Sequence, residues 1–182
     1  MIIRNDDVSV DTQMSDFYKF CEICDRRGFK ILQGITICGE THKIDYRMDN
    51  NQIKSLGSGR QIFEHTELID YLVQRNDLIA VHGLWHTHEV TEKEIESAKR
   101  MLTRVLKPTY FIPPFNEGDY PNEICGLQVS SKDAQNIEHY FQTTDIPTTE
   151  IAYTHFWRYG RWYPWETLEK TLDRIVEKMI QS

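Results

Sequence analysis

The sequence has no cluster of lysines or arginines, and its 28 acidic residues outnumber the 21 basic ones, which gives a net charge of −7. We therefore expect neither nucleic acid nor an anionic membrane surface as a partner. No apolar run approaches the roughly 18 residues that a membrane span needs, so no span is expected. The first residues, 1–7, lack the basic and apolar segments of a signal peptide, which predicts a cytoplasmic location.

Cysteine is also scarce, with four residues in the chain. Cys21 and Cys24 have the Cys-x-x-Cys spacing of a redox pair or of half a zinc site. They also continue a stripe of apolar residues at helical spacing from Met14 and Phe17, and no second Cys-x-x-Cys follows. We interpret these cysteines as buried, reduced, structural thiols.

The chain has 182 residues, of which 40% are apolar and 27% charged, and this composition fits one soluble domain over residues 1–182. Strand-like and helix-like segments alternate along it. Such alternation predicts an α/β fold with a parallel sheet, curled into an irregular, incomplete (β/α) barrel of about seven strands. The run 39–61 has no clean period and is predicted to be a long loop that shapes the substrate pocket.

Three of the seven histidines fall within seven residues, directly after the predicted strand 78–81. His82 and His86 are four apart, so both imidazoles can face one side of a turn or short helix, as two metal ligands would. The alternative is a pair of surface or supporting histidines. His88 could replace His82 as a ligand if the segment were extended, or could instead support the site or face the substrate.

Polar residues and prolines end the other predicted strands. Asp6 and Asp7 follow the first, Pro113 and Pro114 follow a strand at 110–112, and His155 ends a strand at 151–155. Functional groups gather at the carboxyl ends of the strands in such folds. Asp6-Asp7 could otherwise be a plain turn, and His155 a satisfied core histidine.

This order of motifs resembles that of the polysaccharide deacetylase superfamily, the NodB-homology domain of carbohydrate esterase family 4-like proteins. The matching segments are Asn5-Asp6-Asp7-Val8, His82-Gly83-Leu84-Trp85-His86, Pro113-Pro114-Phe115-Asn116 and Tyr153-Thr154-His155. The resemblance implies that Asp7, His82 and His86 hold a divalent metal, usually zinc. It also implies that Asp6 is the general base and His155 the general acid, with a backbone N–H at the Pro114-Phe115 turn as the oxyanion partner.

The sequence departs from the family pattern in three places. Val8 stands where the family commonly has glycine, and Ile112 where it often has an arginine before the prolines. No counterpart of the arginine and aspartate of the family's fourth motif, which tune the base and the acid, can be found in the sequence. These departures would allow a rival function, a binding module that keeps the metal and the cleft but has lost efficient chemistry.

An acetylated sugar, or a precursor that contains one, is the expected substrate, with N-acetyl the favoured target. A cytoplasmic location would favour a soluble sugar, a nucleotide-sugar or a lipid-linked precursor. The residues expected to contact it are Trp85, Pro114, Phe115, Asn116 and Trp157. Two histidines and a carboxylate also form the site of non-haem iron oxygenases, a second rival, but those sites usually lie in double-sheet barrels.

Overall fold

A computed structural model describes residues 1–38, 60–88, 90–130 and 134–181. The strands are β1 Ile2–Val8, β2 Lys30–Ile35, β3 Leu78–Val81, β4 Pro108–Phe111, β5 Glu123–Ile124, β6 Leu127–Val129, β7 Gln135–Asn136 and β8 Ile151–Thr154. The α-helices in the described ranges are α1 Met14–Asp25, α2 Thr66–Gln74, α3 Glu92–Leu102 and α4 Trp165–Gln181. Nearly all of the predicted loop 39–61 lies outside the described residues.

The described strands form one sheet in the order β5-β6-β4-β3-β2-β1-β8-β7. Every pair is parallel except β5 with β6. The sheet does not close on itself, since β5 and β7 are its edges. The prediction of an incomplete barrel is confirmed, with eight strands rather than about seven.

The central strands are buried along nearly their whole length. In β2, every residue after Lys30 is buried, and β1 is buried at five of its seven positions. Unbroken burial is typical of parallel strands that are covered on both faces. Because neighbouring strands run parallel, the carboxyl ends of β1, β2, β3, β4 and β8 lie at the same edge of the sheet, and this edge carries the site.

Helix α1 covers the sheet with the stripe that the sequence predicts. Phe17, Cys21 and Cys24 are fully buried, and neither thiol forms a disulfide. Burial raises the pKa of Cys21 to about 12, so the group stays a thiol near neutral pH. The interpretation of these cysteines as structural is thus confirmed.

Helix α3 begins with a capping box. The Thr91 hydroxyl accepts from the Glu94 amide at 3.3 Å, and the Glu94 carboxylate accepts from the Thr91 amide at 2.9 Å. The helix buries Ile95, Ala98 and Leu102, whereas Val105 is 41% exposed because the helix ends at Leu102. None of the described helices is both long and apolar enough to cross a membrane.

Candidate metal centre

An irregularity in β1 brings two consecutive carboxylates to one place. In a regular strand, neighbouring side chains point to opposite faces. The register of β1 against β2 shifts between Asn5 and Val8, and Asp7 has a φ of +66°. Aspartate tolerates this left-handed conformation better than most residues. The bulge therefore lets both Asp6 and Asp7 line the same cavity.

Asp7 meets two histidines that follow β3. Its Oδ1 lies 3.2 Å from Nε2 of His82 and 3.2 Å from Nε2 of His86. The three candidate ligand atoms lie within 4.8 Å of one another. Two imidazole nitrogens and a carboxylate oxygen suit zinc and other divalent transition metals, with space left for water or substrate.

The turn 82–88 gives the histidines these positions. Gly83 has a φ of +102°, and a Cβ at that position would stand 2.6 Å from the Trp85 carbonyl oxygen. His82 Nδ1 lies 2.9 Å from the Ile112 carbonyl oxygen, which can only accept, so Nδ1 carries the proton and Nε2 is free to coordinate. The predicted His-x-x-x-His pair thus stands on a tight turn and not on a helix.

The surroundings of Asp7 favour its ionised form. Burial alone would raise the pKa of Asp7, but the hydrogen bond with His82 and the nearby charges of His86 and His155 hold it well below its ordinary value of 3.8. Trp157 Nε1 also donates to Asp7 Oδ2 at 3.2 Å. A carboxylate has to be deprotonated to bind a metal, and Asp7 meets this condition near neutral pH.

Asp6 lies beside this centre and is held by a buried arginine. Arg4 Nη2 donates to Asp6 Oδ2 at 2.8 Å and to Asn116 Oδ1 at 2.6 Å, and Arg4 Nη1 donates to Ser130 Oγ at 3.2 Å. Arg4 has no exposed surface, and its guanidinium lies 4.7 Å from the ring centroid of Tyr153. The other oxygen, Asp6 Oδ1, has no hydrogen-bond partner among the described residues.

His155 lies on the other side of Asp7, with its Nε2 3.6 Å from Asp7 Oδ2. Its Nδ1 faces the Glu138 carboxylate at 3.9 Å, which is beyond hydrogen-bond distance. Glu138 comes from the 3-10 turn Ile137–Tyr140 and also binds Arg158 Nη1. An acidic side chain therefore lies on the Nδ1 side of the imidazole.

No protein-family model and no curated protein sequence matches the chain. Several solved structures, however, match its fold. The Bc1960 peptidoglycan N-acetylglucosamine deacetylase superimposes with a TM-score of 0.61 at 11% identity, covering 99% of this chain and 81% of that one. A family 4 acetyl xylan esterase from Clostridium thermocellum, in complex with a cobalt ion, gives a TM-score of 0.54 at 10% identity and covers 99% and 83%. BA3943 from Bacillus anthracis, a CE4 family pseudoenzyme, gives 0.57 at 13% identity and covers 99% and 60%.

The chain has the polysaccharide deacetylase fold.

Within this deacetylase fold, the three departures of the sequence have structural explanations. Val8 is buried in the core, and Ile112 is buried against Gly34 while its carbonyl oxygen faces His82. The arginine beside Asp6 is supplied by β1, through Arg4. The acid behind His155 is supplied by Glu138. A charged side chain therefore lies beside each of Asp6 and His155.

The deacetylase fold also holds a cavity of about 770 Å³ over these groups. Of the predicted substrate contacts, Phe115, Asn116 and Trp157 line it. Trp85 packs partly buried against the core, and Pro114 is buried beneath the turn. These two are not among the described residues that line the cavity.

His88 lies at the edge of the site and is not part of the ligand cluster. Its ring stacks on Phe115, with centroids 4.0 Å apart, and its Nδ1 lies 2.9 Å from Glu117 Oε2. Phe115 and Asn116 both have positive φ, which is uncommon outside glycine. The contact between His88 and Phe115, together with the bond from Arg4 to Asn116, supports this strained turn over the metal centre.

Proposed function

We propose that the protein is a metal-dependent hydrolase that removes an acetyl group, preferably N-acetyl, from a carbohydrate or a sugar-containing precursor. The observation that carries the proposal is the convergence of Asp7, His82 and His86 on one point, with Asp6 and His155 beside it. The structural neighbours include a peptidoglycan N-acetylglucosamine deacetylase and an acetyl xylan esterase, which supports this reaction class.

In the proposed reaction, Asp7, His82 and His86 would hold a divalent metal, zinc by preference, and the metal would supply the polarisation of the acetyl carbonyl. Asp6 accepts a proton from the attacking water at Oδ1, the oxygen without a partner, while Arg4 holds Oδ2. The water oxygen bonds to the carbonyl carbon, and the bond from carbon to nitrogen breaks. His155 gives a proton from Nε2 to the departing amine, so the products are acetate and a free amino sugar.

Arg4 and Glu138 have positioning roles in this proposal. Arg4 restricts the rotation of the Asp6 carboxylate, because one of its oxygens is held at 2.8 Å and the other is left for the water. Glu138 lies on the Nδ1 side of His155, 3.9 Å away, so that in this proposal its carboxylate faces one ring nitrogen while Nε2 stays on the side of Asp7. Such partners usually change activity strongly although they touch neither metal nor substrate.

The experiment is a comparison of metal content and acetate release in three proteins: wild type, His82→Ala and His139→Ala. We expect near-stoichiometric metal in wild type and in His139→Ala, which serves as the matched control because His139 is exposed and lies outside the ligand cluster. His82→Ala should lose the metal. Acetate release from acetylated sugars should depend on the metal and should be lost in Asp6→Asn while metal is retained.

The second candidate is a binding module that keeps the metal but does not turn over substrate. One structural neighbour, BA3943, is a CE4 family pseudoenzyme, which supports this candidate. Metal-loaded wild type that binds acetylated sugars and releases no acetate from any of them would support this module over the hydrolase. The iron oxygenase has no such support, since the parallel sheet differs from the double-sheet barrel in which those sites usually lie.

A further inference from the structure

One arginine that lines the cavity forms no hydrogen bond or ion pair within the described part of the chain. Arg161 lines the cavity and is exposed, and no hydrogen bond or ion pair joins it to any described residue. Arg4 and Arg158 also line or underlie the site, but each is already paired with a carboxylate. Arg161 is thus a cation that faces the cavity without a protein partner in the described ranges.

The next residue, Trp162, is 65% exposed although it is the largest kind of apolar side chain. Its ring meets Trp157 edge to face, with centroids 5.2 Å apart. Trp157 in turn donates to Asp7, one of the candidate metal ligands. Trp162 is therefore two contacts away from the candidate metal centre, and it lines the same cavity as Arg161.

An exposed arginine alone is usually a solvated surface charge. The pairing with an exposed tryptophan changes this interpretation, because the two together offer an apolar face for a sugar ring and a planar fork for an anion. Guanidinium binds carboxylate and phosphate through two parallel hydrogen bonds, which water and neutral hydroxyls do not match. Asp11 and Glu117 also line the cavity, and their carboxylates would repel an anion. Arg161 is therefore the lining side chain at which we expect an anion to bind.

We propose that Arg161 and Trp162 form a subsite for an anionic group, so that the substrate is an N-acetylated sugar with a carboxylate or phosphate next to the acetylated ring. This inference rests on the proposed function for the position of the acetyl group. The ring adjoining the anion packs on Trp162, and the anion binds Arg161. Carboxylated sugars and sugar phosphates share this chemistry, and the test separates them.

The test measures binding and turnover on the metal-loaded full chain. Binding is measured by calorimetry with Asp6→Asn, which cannot consume the ligand, using N-acetylglucosamine, N-acetylmuramic acid and N-acetylglucosamine 1-phosphate. Turnover is measured as acetate release by wild type from the same three sugars. Each measurement is repeated with Arg161→Gln, Arg161→Lys and Trp162→Ala, and with Arg100→Gln as the control, an exposed arginine on α3 away from the cavity.

We expect at least one anionic sugar to bind about fivefold to tenfold more tightly than the neutral one, as for a partly exposed charge-assisted pair. Arg161→Gln should abolish that preference, Arg161→Lys should keep part of it, and Arg100→Gln should leave it intact. Trp162→Ala should weaken the binding of all three sugars. The anionic preference should also shrink at high salt.

Equal binding of neutral and anionic sugars, or a preference that survives Arg161→Gln, would overturn the subsite. Acetate release from the neutral sugar would then leave the hydrolase standing. An anionic preference that depends on Arg161, without acetate from any sugar, would support the subsite and count against the hydrolase instead.

Discussion

Replacing Arg4 tests whether the candidate base is held as the structure indicates. The guanidinium is fully buried and donates to Asp6, Asn116 and Ser130. Arg4→Met keeps most of the apolar stem and removes the charge and all three bonds. It leaves the Asp6 carboxylate, which is 2% exposed, without a counter-charge. Breaking a buried pair in this way costs about 3 to 5 kcal/mol in the free energy of unfolding.

The assay is urea denaturation of metal-free protein for Arg4→Met, Asp6→Asn and the double variant. The double variant removes both charges, so neither is left buried alone. Its free-energy loss should be smaller than the sum of the two single losses by about 0.5 to 3 kcal/mol, because the residues are in direct contact. Metal content of Arg4→Met should equal that of wild type, since Arg4 touches none of Asp7, His82 and His86.

Arg26→Met provides the matched control. Arg26 forms only surface ion pairs, at 4.0 Å to Glu22 and 3.7 Å to Glu169, and its side chain is 54% exposed. Its replacement should change the free energy of unfolding by less than about 1 kcal/mol. Additive effects of Arg4→Met and Asp6→Asn, or a loss for Arg4→Met no larger than that for Arg26→Met, would refute the reasoning.

Three further predictions concern the metal turn, the acid side and the ligands. Gly83→Ala should lower the metal content and destabilise the fold by more than about 1 kcal/mol. The positive φ of Gly83 and the Trp85 carbonyl oxygen, 2.6 Å from the position that a Cβ would take, leave no room for a side chain. Unchanged metal content would contradict this prediction. Burial would raise the pKa of Glu138, but hydrogen bonding and the charges of His155 and Arg158 hold it below its ordinary value of 4.5. The ionised carboxylate therefore stabilises the fold above pH 4.5, and this stabilisation is lost as the pH falls. In acid denaturation, the free energy of unfolding should fall less steeply with pH for Glu138→Gln than for wild type. Zinc at 100 times its dissociation constant should raise the melting temperature by about 5 to 10 °C, and not at all in His82→Ala.

The clustering of Asp7, His82 and His86 could be predicted from the sequence because its signals are local. Asp7 and the pair His82 and His86 each follow an apolar run, and the carboxyl ends of parallel strands meet at one edge. Once a parallel sheet is inferred, residues 75 positions apart are expected to be neighbours. The sequence could not indicate the bulge in β1, without which Asp6 and Asp7 would point to opposite faces.

The partners of the catalytic candidates could be predicted only in part. Arg4 stands two residues before Asp6, and side chains two apart share a face of a strand, so this pair did carry a signal in the sequence. The contact between Glu138 and His155 had no comparable signal in the sequence. Glu138 reaches His155 only because β7 pairs with β8, which aligns Asn136 with Tyr153 across strands of two and four residues.

These two partners bear on the choice between hydrolase and binding module. A buried ion pair such as that of Arg4 and Asp6 is weak evidence for stability, since desolvation offsets most of the attraction. In the proposed hydrolase, Arg4 holds Oδ2 of Asp6, while Oδ1 has no hydrogen-bond partner among the described residues. A general base requires that arrangement, because the free oxygen must accept a proton while the carboxylate keeps its orientation. The position of Arg4 on β1, with its guanidinium on one oxygen of Asp6, therefore fits the proposed hydrolase.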